Sequence, residues 1–90
     1  MLGQYEIILS KQSKGYYKKL PIVGARRLDR ALLLLEKDPF RGGDIKLLTA
    51  KPKRFRLRVG DLRVIYQIDA RNRLVLISTI LPRGQVYRTL

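Results

Sequence analysis

Between Arg54 and Ile68 cationic or polar side chains alternate with apolar ones at almost every second position, and this pattern limits the folds open to the chain. Arg54-Phe55-Arg56-Leu57-Arg58-Val59 has the period of a half-buried strand, and Leu62 to Ile68 repeats it. Gly60-Asp61 between them supplies a two-residue hairpin turn with glycine at the first central position. Such a turn sets Val59 against Leu62, Arg58 against Arg63, Leu57 against Val64 and Phe55 against Tyr66. One face of the hairpin is then Phe55, Leu57, Val59, Leu62, Val64, Tyr66 and Ile68. The other carries Arg54, Arg56, Arg58 and Arg63, with Ile65 and Gln67.

The rest of the chain provides cover for the apolar face. Tyr5 to Leu9 is a short apolar run that suits a strand, and Ser10 is placed to cap a helix over Lys11 to Lys19. Gly15 weakens that helix. Pro21 opens a second helix running to about Lys37, where Leu28, Leu32 and Leu35 form a core stripe widened by Ala31. Asp38-Pro39 ends it, because a residue before proline avoids the helical region. Ile45 to Lys53 reads as a basic connector, Asp69 to Arg73 as a polar turn, and Leu74 to Leu81 as an apolar, β-branched strand covered on both faces. The expected fold is α+β: a strand, two helices, then three antiparallel strands forming a small sheet with both helices on one face, in a single domain over residues 1–90.

Charge narrows the function. Lys and Arg exceed Asp and Glu by 13, a field that attracts polyanions, and 46% hydrophobic content separates the chain from disordered basic tails. Cysteine and histidine are both absent, which removes thiolate chemistry, the usual zinc ligands and the usual general base near neutral pH. No metal or cofactor is expected. There is no apolar run long enough for a membrane span, and Met1 to Ser10 does not read as a signal peptide, so a cytoplasmic location is expected. Arginines opposed on one sheet face repel each other, which makes the hairpin's second face a poor source of stability and a good phosphate platform.

The segments Tyr17-Lys18-Lys19-Leu20-Pro21, Asp44-Ile45-Lys46-Leu47-Leu48, the hairpin from Phe55 to Tyr66 and the ending Pro82-Arg83-Gly84-Gln85-Val86-Tyr87-Arg88 together resemble the RelE/ParE toxin superfamily, in the same order along the chain. The resemblance implies a RelE-like fold and the toxin of a type II toxin–antitoxin system, with a cognate antitoxin as partner. It further implies an endoribonuclease that cuts mRNA on the ribosome by attack of a ribose 2′-oxygen on the adjacent phosphate. Carried over by position, Arg54 and Arg56 match the family's basic hairpin pair, Arg63 its arginine on the next strand, and Arg83 and Tyr87 its terminal pair. Arg56, Arg63, Arg83 and Tyr87 are the expected catalytic residues, with Arg54, Arg58, Lys46, Lys51 and Lys53 as RNA contacts. Tyr87 fits two roles, moving a proton or packing in the tail. Pro82 stands where many relatives carry histidine, and Arg54 and Arg56 stand where the strongest nucleases carry lysine, which leaves the general base open. The ParE branch, which poisons DNA gyrase, shares the hairpin. A basic RNA- or ribosome-binding module without catalysis is the remaining alternative.

Overall fold

The computed structural model describes residues 4–84. Its elements are β1 (Glu6–Leu9), α1 (Lys11–Lys18), α2 (Ile22–Lys37), β2 (Ile45–Ala50), β3 (Lys53–Val59), β4 (Leu62–Asp69) and β5 (Leu74–Pro82). The strands form one five-stranded sheet in the order β1-β5-β4-β3-β2, with β1 parallel to β5 and the other neighbours antiparallel.

The hairpin has the register its alternation demands: Val59 faces Leu62, Arg58 faces Arg63, Leu57 faces Val64 and Phe55 faces Tyr66. Gly60 takes the turn at φ 55°, a conformation that costs a residue with a Cβ. Ser10 caps α1 by accepting from the Ser13 N–H at 3.1 Å. Asp38, extended at φ −154°, ends α2, and its carboxylate accepts from the Phe40 N–H at 3.0 Å.

One expectation needs correction. Ile45 to Ala50 is not a connector but an edge strand, so the sheet has five strands where four were expected. Ile45 and Leu47 lie opposite Leu57 and Phe55, and Lys46 lies opposite Arg56. The pairing then shifts between Leu47 and Thr49, leaving Leu48 as an extra residue. That bulge breaks the period-two pattern by which a strand is recognised.

A second bulge lies between β4 and β5, where Ile65 faces Thr79 but Tyr66 faces Ile77, so Ser78 is the extra residue. It changes the phase of β5, and Val75, Ile77 and Ile80 all reach the core. β1 stops at Leu9, opposite Ile77, and polar side chains at the start of α1 take over its role along β5. Ser10 Oγ donates to the Ser78 carbonyl at 2.8 Å. The Gln12 amide both donates to the Ile80 carbonyl at 2.9 Å and accepts from the Ile80 N–H at 3.0 Å. Ser13, wholly buried, donates to the Ile77 carbonyl at 3.3 Å. Backbone groups that a missing strand would orphan are thereby satisfied.

Both helices pack on one face of the sheet. Leu28 and Leu35 of α2 are buried against Leu57, Val59, Val64, Val75, Ile77 and Ile80, with Ala31 and Leu32 half-buried at the margin. Tyr5, Phe40, Phe55 and Tyr66 form an aromatic row along the core, with Phe55 stacked on Tyr66 at 5.5 Å between centroids. Tyr66 is wholly buried and its hydroxyl donates to the Pro39 carbonyl at 2.7 Å, tying the loop after α2 to the sheet. Burial, and then the nearby Asp38 carboxylate, raise the Tyr66 phenol well above its ordinary value.

Tyr66→Phe should therefore cost about 1–3 kcal/mol in urea denaturation, because the Pro39 carbonyl loses its buried partner. The folded state also holds the Tyr66 proton more tightly than the unfolded chain does. Stability should fall as pH rises past about 10, the ordinary phenol value, and Tyr66→Phe should flatten that alkaline loss.

Candidate functional site

The sheet face opposite the helices collects cations. Strand alternation puts Arg54, Arg56 and Arg58 of β3 on it, and the register adds Lys46 beside Arg56 and Arg63 beside Arg58. The next positions across the sheet are Thr79, level with Arg56 and Ile65, and Leu81, level with Arg58 and Arg63. Ile65 is wholly buried yet stands outside the core cluster, as the floor of this face between Arg56 and Thr79.

The arginines differ in their surroundings. Arg58 is exposed and forms an ion pair with Asp44, Nη2 to Oδ1 at 3.3 Å, while its N–H donates to the Asp44 carbonyl at 3.0 Å. Arg56 and Arg63 are half-buried. Arg56 Nε and Arg63 Nη1 are shut off from solvent and have no hydrogen-bond partner among the described residues. A guanidinium N–H in that state is costly, and the cost is removed by an anion that accepts from it. Arg54, also half-buried, pairs with Thr49 at the far end of the face. Arg83 follows β5, and its N–H donates to the Asp61 carbonyl at 2.6 Å, which fixes the exposed Arg83 beside the hairpin turn at the Arg58–Arg63 end.

The structure thus brings together Lys46, Arg54, Arg56, Arg58 and Arg63, with Arg83 at the rim. Lys53 is turned away: it shares the helix side with Phe55, its Nζ 6.0 Å from the Phe55 ring centroid. Lys51 is exposed in the β2–β3 turn. Tyr87 lies outside the described residues. Ile65 stands on this face as the alternation of β4 requires, whereas Thr79 escaped sequence reading, because Leu74 to Leu81 is too uniformly apolar to reveal the Ser78 bulge that sets its phase.

Two tyrosines can be set aside as bases at neutral pH. Tyr66 is held protonated by burial, and Tyr17 by its hydrogen bond to Asp29 Oδ1 at 2.7 Å, which raises it above the ordinary phenol value. What the face offers is fixed positive charge with directed N–H donors, the arrangement suited to a phosphate whose charge grows in a transition state.

A family model described as the ParE toxin of the type II toxin–antitoxin system parDE matches residues 7–87. No curated protein matches the chain. Among solved structures, the archaeal RelE–RelB complex from Pyrococcus horikoshii OT3 contains a chain with 28% identity and a TM-score of 0.82, the match covering 92% of this chain and 99% of that one. The toxin–antitoxin complex RelBE2 from Mycobacterium tuberculosis matches at 24% identity and TM-score 0.66 over 89% of this chain and 99% of that one. The YoeB/ParE toxin from Agrobacterium tumefaciens matches at 12% identity and TM-score 0.74 over 87% and 98%. The last two likenesses concern the fold alone.

The unpartnered donor at Arg56 predicts a gain in stability when it is removed. Arg56→Met keeps an aliphatic stem beside Ile65 across the strands, and should raise stability by about 1 kcal/mol, or roughly 4–8 °C in Tm, by differential scanning calorimetry. Binding of single-stranded RNA should depend steeply on salt. If roughly five cations on the face contact phosphates, the log–log slope should be about −3 to −4, and each Arg→Ala change should flatten it by about 0.7. Fluorescence anisotropy across a salt series checks both.

Proposed function

Because the chain belongs to the ParE toxin family of type II toxin–antitoxin systems, we propose that it is an RNA-cutting toxin whose substrate is mRNA held on the ribosome, gripped by the arginine face of the sheet. The observation that carries this reading is the pair of buried donors on Arg56 and Arg63, on neighbouring strands of that face, that have no hydrogen-bond partner among the described residues. In the reaction the ribose 2′-oxygen attacks the adjacent phosphorus, the bond from phosphorus to the 5′-oxygen breaks, and a 2′,3′-cyclic phosphate remains. The 2′-hydroxyl loses its proton as it attacks, and the departing 5′-oxygen gains one. Arg56 and Arg63 would stabilise the charge that gathers on the phosphoryl oxygens, with Arg83 reaching it from the rim. Arg54, Arg58 and Lys46 would hold the flanking phosphates. Tyr87 is assigned proton transfer or base stacking on position in the sequence alone.

Guanidinium groups supply charge and not a proton acceptor, so rate must come chiefly from charge stabilisation and in-line geometry. Free RNA rarely adopts that geometry, whereas a ribosome that fixes the message can impose it. A neutralising antitoxin is the expected protein partner, a reading supported by the family and by the archaeal relative solved as a RelE–RelB complex. The family model's description names ParE, and the resemblance to the ParE branch implies a second reading, poisoning of DNA gyrase.

Single-turnover cleavage of mRNA on programmed ribosomes should be much faster than cleavage of the same RNA free in solution. Arg63→Ala and Arg56→Ala should each lower the ribosomal rate by about 10²-fold or more with the fold intact. Tyr87→Phe should lower it strongly only if the phenol moves a proton. Equal rates for parent and Arg63→Ala, together with inhibition of gyrase supercoiling by the parent, would replace the nuclease reading with the gyrase one.

A further inference from the structure

The chain has 20 cations and 7 acids, yet among the described residues a single ion pair forms, and it stands at the edge of the arginine face. Asp44 Oδ1 lies 3.3 Å from Arg58 Nη2, and the side chains of Arg58 and Asp44 are 54% and 59% exposed. The other acids are engaged or lie elsewhere. Asp29 accepts from Tyr17, Asp38 from the Phe40 N–H and Asp69 from Asn72. Glu36 lines a hollow with Ile7 and Leu9 on the helix side, Asp61 belongs to the hairpin turn, and Glu6 is exposed on β1 at the opposite edge of the sheet.

The Asp44 carboxylate is not needed to hold the chain in place. Its backbone carbonyl already accepts from the Arg58 N–H at 3.0 Å, and the next residue, Ile45, enters the ladder opposite Leu57. What the carboxylate adds is negative charge beside Arg58, which faces the like charge of Arg63 across the hairpin. In the free chain Asp44 thus does for Arg58 what a phosphate does in a complex. It does so weakly. The contact is single and near the long end of the hydrogen-bond range, without the two-pronged grip of a tight arginine–carboxylate pair. An ion pair exposed on both sides is easily exchanged, and a phosphate arriving at Arg58 can displace it.

We propose that Asp44 is a specificity-determining residue of the face, a built-in rival of RNA phosphate for Arg58. The inference rests on the reading of this face as the surface that grips RNA. It divides the cations into two kinds. Arg56 and Arg63, whose buried donors have no partner among the described residues, take a phosphate without giving anything up. Arg58 takes one only by releasing Asp44, so its contact adds less to affinity than theirs. A chain of net charge +13 attracts every polyanion within reach. A carboxylate at the edge of the face lowers that general grip and leaves untouched the two arginines assigned to the reacting phosphate.

The probe is a 2′-O-methyl oligouridine of about 12 nucleotides, long enough to cross the face and impossible to cut because its 2′-oxygen is blocked. Binding is measured by fluorescence anisotropy at physiological salt, with circular dichroism melts to confirm folding of each variant. Asp44→Asn, which removes the charge and keeps the shape, should bind about 3- to 5-fold tighter than the parent. A purely structural role for Asp44 gives unchanged or weaker binding instead. The gain should depend on Arg58: in an Arg58→Met background, Asp44→Asn should change affinity by less than about 1.5-fold. Glu6→Gln, an equal change of charge at the far edge of the sheet, should also stay within about 1.5-fold of the parent. Three results would overturn the proposal: no tighter binding by Asp44→Asn, an undiminished gain in the Arg58→Met background, which means direct repulsion of the RNA, or an equal gain from Glu6→Gln. Failure of the parent and of Asp44→Asn to bind the oligonucleotide at all removes the proposal together with the phosphate platform. Cleavage on programmed ribosomes separates the two readings. A parent that cuts nothing, but shows the dependence of Asp44→Asn on Arg58, loses the nuclease reading and keeps the role of Asp44. A parent that cuts through Arg63, with Asp44→Asn binding no tighter, does the reverse.

Discussion

The register of β3 against β4 is the constraint on which the other features rest. With Val59 opposite Leu62, the hairpin delivers Phe55, Leu57, Val64 and Tyr66 to the helices and Arg54, Arg56, Arg58 and Arg63 to the other side in a single step. No intermediate register exists, because a slip of one residue exchanges the two sets entirely. The turn that fixes it needs a residue comfortable at positive φ, and Gly60 provides one. The Arg27 guanidinium of α2 lies near the same point: a Cβ at Gly60 would stand 3.2 Å from its Nη1. Turn geometry and the position of the cationic face are thus decided at one place.

The core then has to outweigh a face that opposes folding. Arg58 opposite Arg63, and Lys46 opposite Arg56, place like charges on adjacent strands, and the buried donors of Arg56 and Arg63 add desolvation without a bond among the described residues. Leu28, Leu35 and the aromatic row from Tyr5 to Tyr66 supply burial on the far side. Ile65, on the cationic side, is also closed to solvent. The bulge at Ser78 would be a weak point in β5, but Gln12 acts there as a piece of strand, meeting both backbone groups of Ile80. α1 is therefore part of the sheet's hydrogen bonding as well as a lid over its core.

The parts of this fold that could be read from sequence are those governed by one strong period. The hairpin register, the cap at Ser10, the stripe of Leu28 and Leu35 and the stop at Asp38-Pro39 all follow from local rules. β2 was hidden because an inserted Leu48 destroys the alternation, and the phase of β5 because nearly every residue in it is apolar. Long-range polar contacts left no mark either. Nothing local ties Gln12 to Ile80, Asp44 to Arg58 or Tyr66 to Pro39, because each pairing exists only once the sheet is assembled. The cluster of Arg54, Arg56, Arg58 and Arg63 was legible for the same reason as the hairpin. Lys53 was not, since its side follows from the phase of a strand whose start the sequence leaves undefined.

A face built from guanidiniums has a chemical bias. Arginine stays charged throughout the physiological range, so such a face binds and stabilises anions at any pH the cell offers but accepts no proton. The two tyrosines whose environments are clearly perturbed, Tyr17 and Tyr66, are both biased toward keeping their protons, and both serve structure. On the proposed reading the chain therefore supplies one half of a nuclease, the half that neutralises charge, and relies on how its substrate is presented for much of the other half. That division gives a physical reason for a toxin to be selective. Phosphates are everywhere in a cell, but phosphates already held in line for attack are not, and a face with strong charge and weak proton transfer accelerates cleavage chiefly where that geometry is already provided.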